Sequence, residues 1–363
     1  MNLLRPISIL AGLAMAATTA SAQISLTPPA APPPSAPAAK NKKETPKEAP
    51  KPKAATAAKK PAATPKPAAT PTPTPQPSPT AGFEDPNVDL VYGAYQRGLY
   101  KTAFDLATTR ATYANDPKAM TMLGELYANA MGVKRDYAKA TEWYQRASDA
   151  GDREGMFALA MMKLSGRGAK VDREQAVRLL ASSAKLGEPK AAYNLALLYI
   201  DGQTLPQDLK RSAELLRVAA DAGSPEAQYA LATFYKEGTG VPKDIDKAVR
   251  LLQAASLADN VDAEVEYAIA MFNGTGTPQN QSAAVALLRK AARQNSPIAQ
   301  NRLARVLVTG AGAPVDKVEG LKWHIVAKTA GKGDLMLDEA LAQASPEERS
   351  KAEDAARKWL GAK

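Results

Sequence analysis

Residues 237–248 read EGTGVPKDIDKA, with Gly238-Thr239-Gly240 ahead of Lys243. Glycines spaced this way can cradle a phosphate at the N-terminus of a helix, or they can turn the chain between two helices. Recurrence decides between the two. Gly166, Gly202, Gly238, Gly274 and Gly310 form one column at a 36-residue step, headed by Ala130. Gly132, Gly168, Gly240, Gly276 and Gly312 form a second, with Thr204 as the exception. Four residues beyond the second column stand Asp136, Asp172, Asp208, Asp244, Asn280 and Asp316, all suited to capping a helix N-terminus. Six phosphate loops at one fixed pitch are not credible chemistry; six interhelical turns are what a repeat array requires.

A second boundary recurs in the same register. Gly151, Gly187, Gly223, Asp259, Asn295 and Gly331 are all residue types that tolerate the left-handed backbone of a helix end. The following column, Asp116, Asp152, Glu188, Ser224, Asn260 and Ser296, supplies N-caps, and Pro117, Pro189, Pro225 and Pro297 stand at the first helical position. Between the boundaries the apolar residues keep helical spacing. Ala119, Gly155, Ala191, Ala227, Ala263 and Ala299 are small, and Leu123, Leu159, Leu195, Leu231, Tyr267 and Leu303 are large. In the second helices Trp143, Leu179, Leu215, Leu251, Leu287 and Trp323 share a column. Each unit is a helical hairpin that cannot bury its own apolar faces, so it must stack on its neighbours.

The copies AMTMLGELYANAMGVKRDYAKATEWYQRASDAG (119–151) and AQYALATFYKEGTGVPKDIDKAVRLLQAASLAD (227–259) resemble the Sel-one-like repeat, a relative of the tetratricopeptide repeat. The resemblance covers residues 116–331 in six units: 116–151, 152–187, 188–223, 224–259, 260–295 and 296–331. It implies an all-α fold, a right-handed α-α superhelical solenoid, with binding of other proteins as its usual work. Departures are local: Thr204-Leu205-Pro206 lacks the second glycine, Lys163 stands where Tyr127 does, and Asp259 and Asn295 replace the terminal glycine. The flanks read as caps. Residues 83–115 suit a tetratricopeptide-like hairpin turning at Gly98. Residues 332–363 include a capping-box start at Ser345-Pro346-Glu347-Glu348 and a helix whose Trp359 and Leu360 are expected to cover the last open face.

The ends of the chain have a different character. Residues 1–22 carry one charge, Arg5, an apolar run from Ile7 to Ala17, and small residues at Ala20-Ser21-Ala22. That is the layout of a secretory signal peptide, too short for the roughly 20 apolar residues of a membrane-spanning helix. Export is expected, with cleavage before Gln23, to the periplasm in a bacterial envelope or, as the alternative, by secretion, without integral membrane anchoring. Residues 23–82 are rich in Pro, Ala, Lys and Thr and predict a disordered tether of polyproline II character. Nine lysines against Glu44 and Glu48 put seven of the chain's formal charge of +10 there, leaving only +2 on residues 83–363. The basic balance therefore describes the tether, whose lysines suit an anionic envelope surface, and predicts no nucleic-acid partner for the repeats. The absence of cysteine excludes disulfides and thiolate metal sites.

Candidate chemistry is sparse. His324, the only histidine, shares a column with Tyr144, Leu180, Leu216, Leu252 and Leu288, which is a packing position; one histidine alone makes neither a metal site nor a catalytic triad. Ser182-x-x-Lys185 matches part of a penicillin-recognising motif, and Lys328-Thr329-Ala330 faintly resembles a later element, but the SDN element is missing. No enzyme, cofactor or metal is expected. Columns 118, 122, 125 and 129 of the first helices lie at roughly 0°, 40°, −20° and 20° on a helical wheel. They form one variable polar stripe, expected to line the concave surface and bind a partner. Its candidate residues are Lys190, Asn194, Asp201, Glu226, Glu237, Asp262, Glu266, Asn273, Arg302 and Arg305, acidic around Glu226 to Glu266 and basic at the two arginines. The expected partner is another envelope protein; a cell-wall glycan is the alternative, with Tyr193 and Tyr229 as its neighbouring aromatics.

Overall fold

The computed structural model describes residues 89–361, which form sixteen α-helices and no strand among the described residues. The expected signal segment and tether lie outside the described residues. Helices α1 (Leu90–Gln96) and α2 (Tyr100–Tyr113) make the N-terminal hairpin, turning at Gly98 with φ of +74°. Six hairpins follow. They are α3 (Pro117–Asn129) with α4 (Tyr137–Asp149), α5 (Arg153–Ser165) with α6 (Arg173–Lys185), and α7 (Pro189–Asp201) with α8 (Leu209–Asp221). Next come α9 (Pro225–Glu237) with α10 (Ile245–Leu257), α11 (Val261–Asn273) with α12 (Gln281–Arg293), and α13 (Pro297–Thr309) with α14 (Lys317–Thr329). The chain closes with α15 (Leu335–Gln343) and α16 (Pro346–Gly361). Every helix of the repeats packs on its sequence neighbours, so the described residues form the expected helical solenoid.

The caps act where the sequence puts them. Asp116, Asp152, Glu188, Ser224, Asn260 and Ser296 each accept a backbone N–H two or three residues on. Asp136, Asp172, Asp208, Asp244, Asn280 and Asp316 do the same for the second helices. Each such bond satisfies a donor that the helix itself leaves unpaired. At the opposite boundary φ is positive throughout the column, from +50° at Asn115 to +91° at Gly223, with Asp259 and Asn295 included.

The two glycines of the GxG turn do different work. The first, as at Gly238, is the left-handed C-cap of the first helix. The second gives room between repeats. A Cβ on Gly240 would lie 2.3 Å from the Leu209 carbonyl oxygen, and one on Gly168 would lie 2.1 Å from that of Tyr137. Leu209 and Tyr137 each open the second helix of the preceding repeat. Thr204 is the one member of its column outside the left-handed region.

The core follows the expected columns. Leu123, Leu159, Leu195, Leu231 and Leu303 are buried, as are Ala191, Ala227, Ala263 and Ala299. In the second helices the column of Tyr144, Leu180, Leu216, Leu252, Leu288 and His324 is buried throughout, deeper than the column of Trp143 and Leu179. The C-terminal cap forms its reciprocal box: Ser345 N donates to Glu348 Oε2 at 3.0 Å, and Glu348 N to Ser345 Oγ at 3.2 Å. Trp359 meets Trp323 edge to face, centroids 5.1 Å apart. Leu360 departs from expectation. It is 39% exposed, because the terminal face turns Trp359 inward and leaves its neighbour on the outside of the helix.

Candidate binding surface

The stripe columns belong to α3, α5, α7, α9, α11 and α13, whose remaining faces are covered by their own second helix and by the adjacent repeats. Lys190, Glu226, Glu237 and Asp262 are exposed; Asn194, Asp201, Glu266, Asn273, Arg302 and Arg305 are half-buried. The surface is narrower than the helical wheel implies. In column 125 Leu197 and Ile269 are only 4% and 7% exposed, so this edge is taken into the core in two of the repeats.

Charges along the stripe are unevenly compensated. Glu266 is paired with Lys236 Nζ at 3.1 Å, and Asn194 Nδ2 donates to the Lys190 carbonyl at 2.8 Å. Arg305 is not offered to solvent as a free cation, since its Nε lies 2.5 Å from Asp334 Oδ2 of the C-terminal cap. Arg302 is half-buried, with burial and Arg305 opposing its charge and Asp334 and Glu266 favouring it. The expected basic end is thus largely balanced from within. Around Tyr229 the picture is opposite. Burial, then the charges of Glu266, Asp262 and Glu237, push its hydroxyl above the ordinary tyrosine range. Burial and Glu266 push Asp262 above the usual carboxylate value. The carboxylates of consecutive repeats therefore share one field.

The residues weighed for catalysis are not assembled. Ser182 and Lys185 are both exposed near the end of α6, and Lys328 is bound to Asp338 Oδ1 at 2.6 Å. His324 is fully buried as a packing residue, but it also has a partner that sequence reasoning missed: its Nε2 lies 2.9 Å from Asp338 Oδ1. Asp338 sits in α15, beyond residue 331 where the repeats as read end, so the columns were not carried to it. Lys328 and then His324 hold its carboxyl below the usual range. Among the described residues no group of three or more His, Asp or Glu could hold a metal ion, and no helix is long and apolar enough to cross a membrane.

Comparison with known proteins agrees with this architecture. The Sel1 repeat matches residues 117–152, 153–188, 189–224, 225–260, 261–296 and 297–332, one residue later than the boundaries read from the turns. A Sel1 repeat protein from Oxalobacter formigenes is similar over 66% of this chain and 98% of its own, with 26% identity and a TM-score of 0.58. A protective antigen of uropathogenic Escherichia coli with an SLR fold is similar in fold, at 23% identity and a TM-score of 0.52, over 72% of this chain and 64% of its own. A search of curated proteins gives no match. With six consecutive matches spanning more than half of its residues, the chain belongs to the Sel1 repeat family.

Proposed function

We propose that this protein is an exported interaction scaffold of the bacterial envelope, an adaptor or regulator that holds a partner protein along the first-helix stripe. Sel1 repeats are protein-interaction modules, which supports the class. The observation that carries the site is an acidic field of exposed Glu226, Glu237 and Asp262, which have no ion-pair partner among the described residues, beside Glu266, which Lys236 pairs. A solenoid needs no such field for its own stacking, and like charges gathered without counterions oppose one another. The layout of residues 1–22 supports export, and the lysines of residues 23–82 suit contact with an anionic surface.

A glycan is favoured less than a protein, because the ring of Tyr193 is buried and leaves no open face on which a sugar could stack. The test uses a photo-crosslinking residue in place of Glu237, in living cells, with a second placed at exposed Glu214 of α8 as control. A defined protein adduct from Glu237 alone is expected. Reversing Glu226, Glu237, Asp262 and Glu266 together should abolish that adduct while helical circular dichroism stays unchanged. Adducts insensitive to the reversal would dismiss the stripe, and co-sedimentation with peptidoglycan dependent on it would turn the reading to glycan.

A further inference from the structure

The near-neutral balance of the repeats conceals a segregation along the turn that joins the two helices of each hairpin. In the first two copies, residues 127–137 and 163–173, six cations stand against only the capping Asp136 and Asp172: Lys134, Arg135, Lys163, Arg167, Lys170 and Arg173. The same windows of the four later copies, 199–209, 235–245, 271–281 and 307–317, hold three cations against five acids. All six copies make the turn, so the turn does not ask for the charge.

The structure sets these basic turns side by side. A Cβ on Gly132 would lie 2.6 Å from the Tyr100 carbonyl carbon and 2.7 Å from the Lys101 nitrogen, just as one on Gly168 would meet the Tyr137 carbonyl oxygen. Each turn therefore rests on the start of the second helix before it, and Thr141 Oγ1 adds a contact of 3.4 Å to the Arg167 carbonyl. Arg135 and Arg167, from different repeats, converge on one ring, with guanidinium carbons 5.9 and 5.8 Å from the Tyr137 centroid. No carboxylate accompanies them. Among the described residues none of Lys134, Arg135, Arg167, Lys170 and Arg173 has an ion-pair or side-chain hydrogen-bond partner. All five are exposed, as is Lys101 on the adjoining hairpin. The acids beside them are engaged elsewhere: Asp136 accepts from Lys139 N at 3.0 Å, Asp172 from Gln175 N at 2.8 Å, and Glu174 holds Arg178 at 2.6 Å.

We propose that this turn edge, running from Lys101 through the first two repeats, is a ridge that docks on an anionic phospholipid surface. It uses none of the residues of the first-helix stripe, and so goes beyond the partner reading without competing with it. Packed helices lie about 10 Å apart, so three adjoining turns present their cations over roughly 20 Å. A row of exposed turns forms a ridge with no walls to enclose an extended acidic segment, whereas a flat array of headgroups can meet several of its cations at once. Each lysine or arginine close to an anionic bilayer is worth about 1 kcal/mol, a factor of about five in partitioning.

Co-flotation of the full chain with mixed phosphatidylglycerol–phosphatidylcholine vesicles tests this, alongside vesicles of phosphatidylcholine alone. Arg135→Gln, Arg167→Gln and Lys170→Gln together should weaken binding to the anionic vesicles at least about tenfold, while helical circular dichroism stays unchanged. Lys210→Gln, Arg217→Gln and Arg250→Gln together remove the same charge from exposed positions of later repeats. That control should change binding less than about twofold, because charges held away from the surface are screened. Both triple variants keep the lysines of residues 23–82, so any attraction they supply is common to the two. Binding that the first triple leaves intact, or that both triples weaken equally, overturns the ridge. Equal binding to neutral vesicles overturns it too, and displacement by inorganic phosphate at matched ionic strength would replace the lipid surface with a site for the free ion.

Discussion

At the scale of single residues, the register exposes substitutions that compensate one another. Gly124 stands where the other five repeats have alanine, and Tyr144 where four of the other five have leucine. The two changes belong together, because a Cβ on Gly124 would lie 2.5 Å from the Tyr144 ring. Gly124→Ala alone should cost about 1–3 kcal/mol through overpacking, and should cost much less beside Tyr144→Leu. Denaturant melts of the four members of that cycle measure the coupling, and additivity would refute it. Glu264 is a second case. Thirty-six residues to either side, Gln228 and Gln300 donate Nε2 to the carbonyls of Ala220 and Ala292, at 3.2 and 3.1 Å. Glu264 is fully buried in that column, and as a carboxylate it has no N–H for the Ser256 carbonyl; it lies instead 2.6 Å from Lys290 Nζ. Glu264→Gln should remove a buried charge, regain the repeat's own hydrogen bond and stabilise by about 1 kcal/mol. A lower melting temperature would mean that the ion pair outweighs its desolvation.

At the scale of the helical hairpin, the two kinds of glycine predict two sizes of effect. Gly223 has φ of +91° with nothing near a prospective Cβ, whereas Gly240 has φ of +66° and a carbonyl oxygen 2.3 Å away. Gly223→Ala should cost about 1 kcal/mol from backbone conformation alone. Gly240→Ala adds a clash with the neighbouring repeat and should cost on the order of 3 kcal/mol. Equal costs in parallel urea titrations would refute the division of labour. These turns and caps were legible in the sequence because their chemistry is local: Asp244 meets a backbone N–H three residues on, and the same demand recurs six times. Contacts between repeats were not legible. Lys236 with Glu266, Arg305 with Asp334 and His324 with Asp338 depend on which side chain a neighbouring helix presents, and no spacing within one helix encodes that. A helical wheel likewise placed Leu197 and Ile269 on the open stripe, yet adjacent helices cover both. The acidic part of the candidate surface was readable as composition, while the internal neutralisation of Arg305 needed the cap in place.

At the scale of the described solenoid, each repeat is stabilised by its neighbours, so the last repeat depends on its cap. The cap holds through apolar packing, with Leu337 and Ala356 buried in the core of the last repeat and Trp359 on Trp323, and through two carboxylates, Asp334 on Arg305 and Asn301, and Asp338 on Lys328 and His324. Although burial opposes the charge of Asp334, the bonds from Arg305 and Asn301 prevail; both carboxyls sit below the usual aspartate value in the folded protein. Groups whose folded value is depressed contribute stability that is complete above the ordinary aspartate range and is lost as pH falls through the depressed values. Acid should therefore release the cap below about pH 4. Trp143 is the only other tryptophan and lies in α4, so a Trp143→Phe variant makes emission report on the Trp323–Trp359 pair. In that background the emission change is expected at higher pH than the loss of helical circular dichroism, because a terminal unit can detach while the stacked interior stays paired. Asp338→Asn should shift emission toward the acid form already at neutral pH and shrink the acid step. Coincident transitions in both variants would mean that the cap and the repeats unfold as one unit.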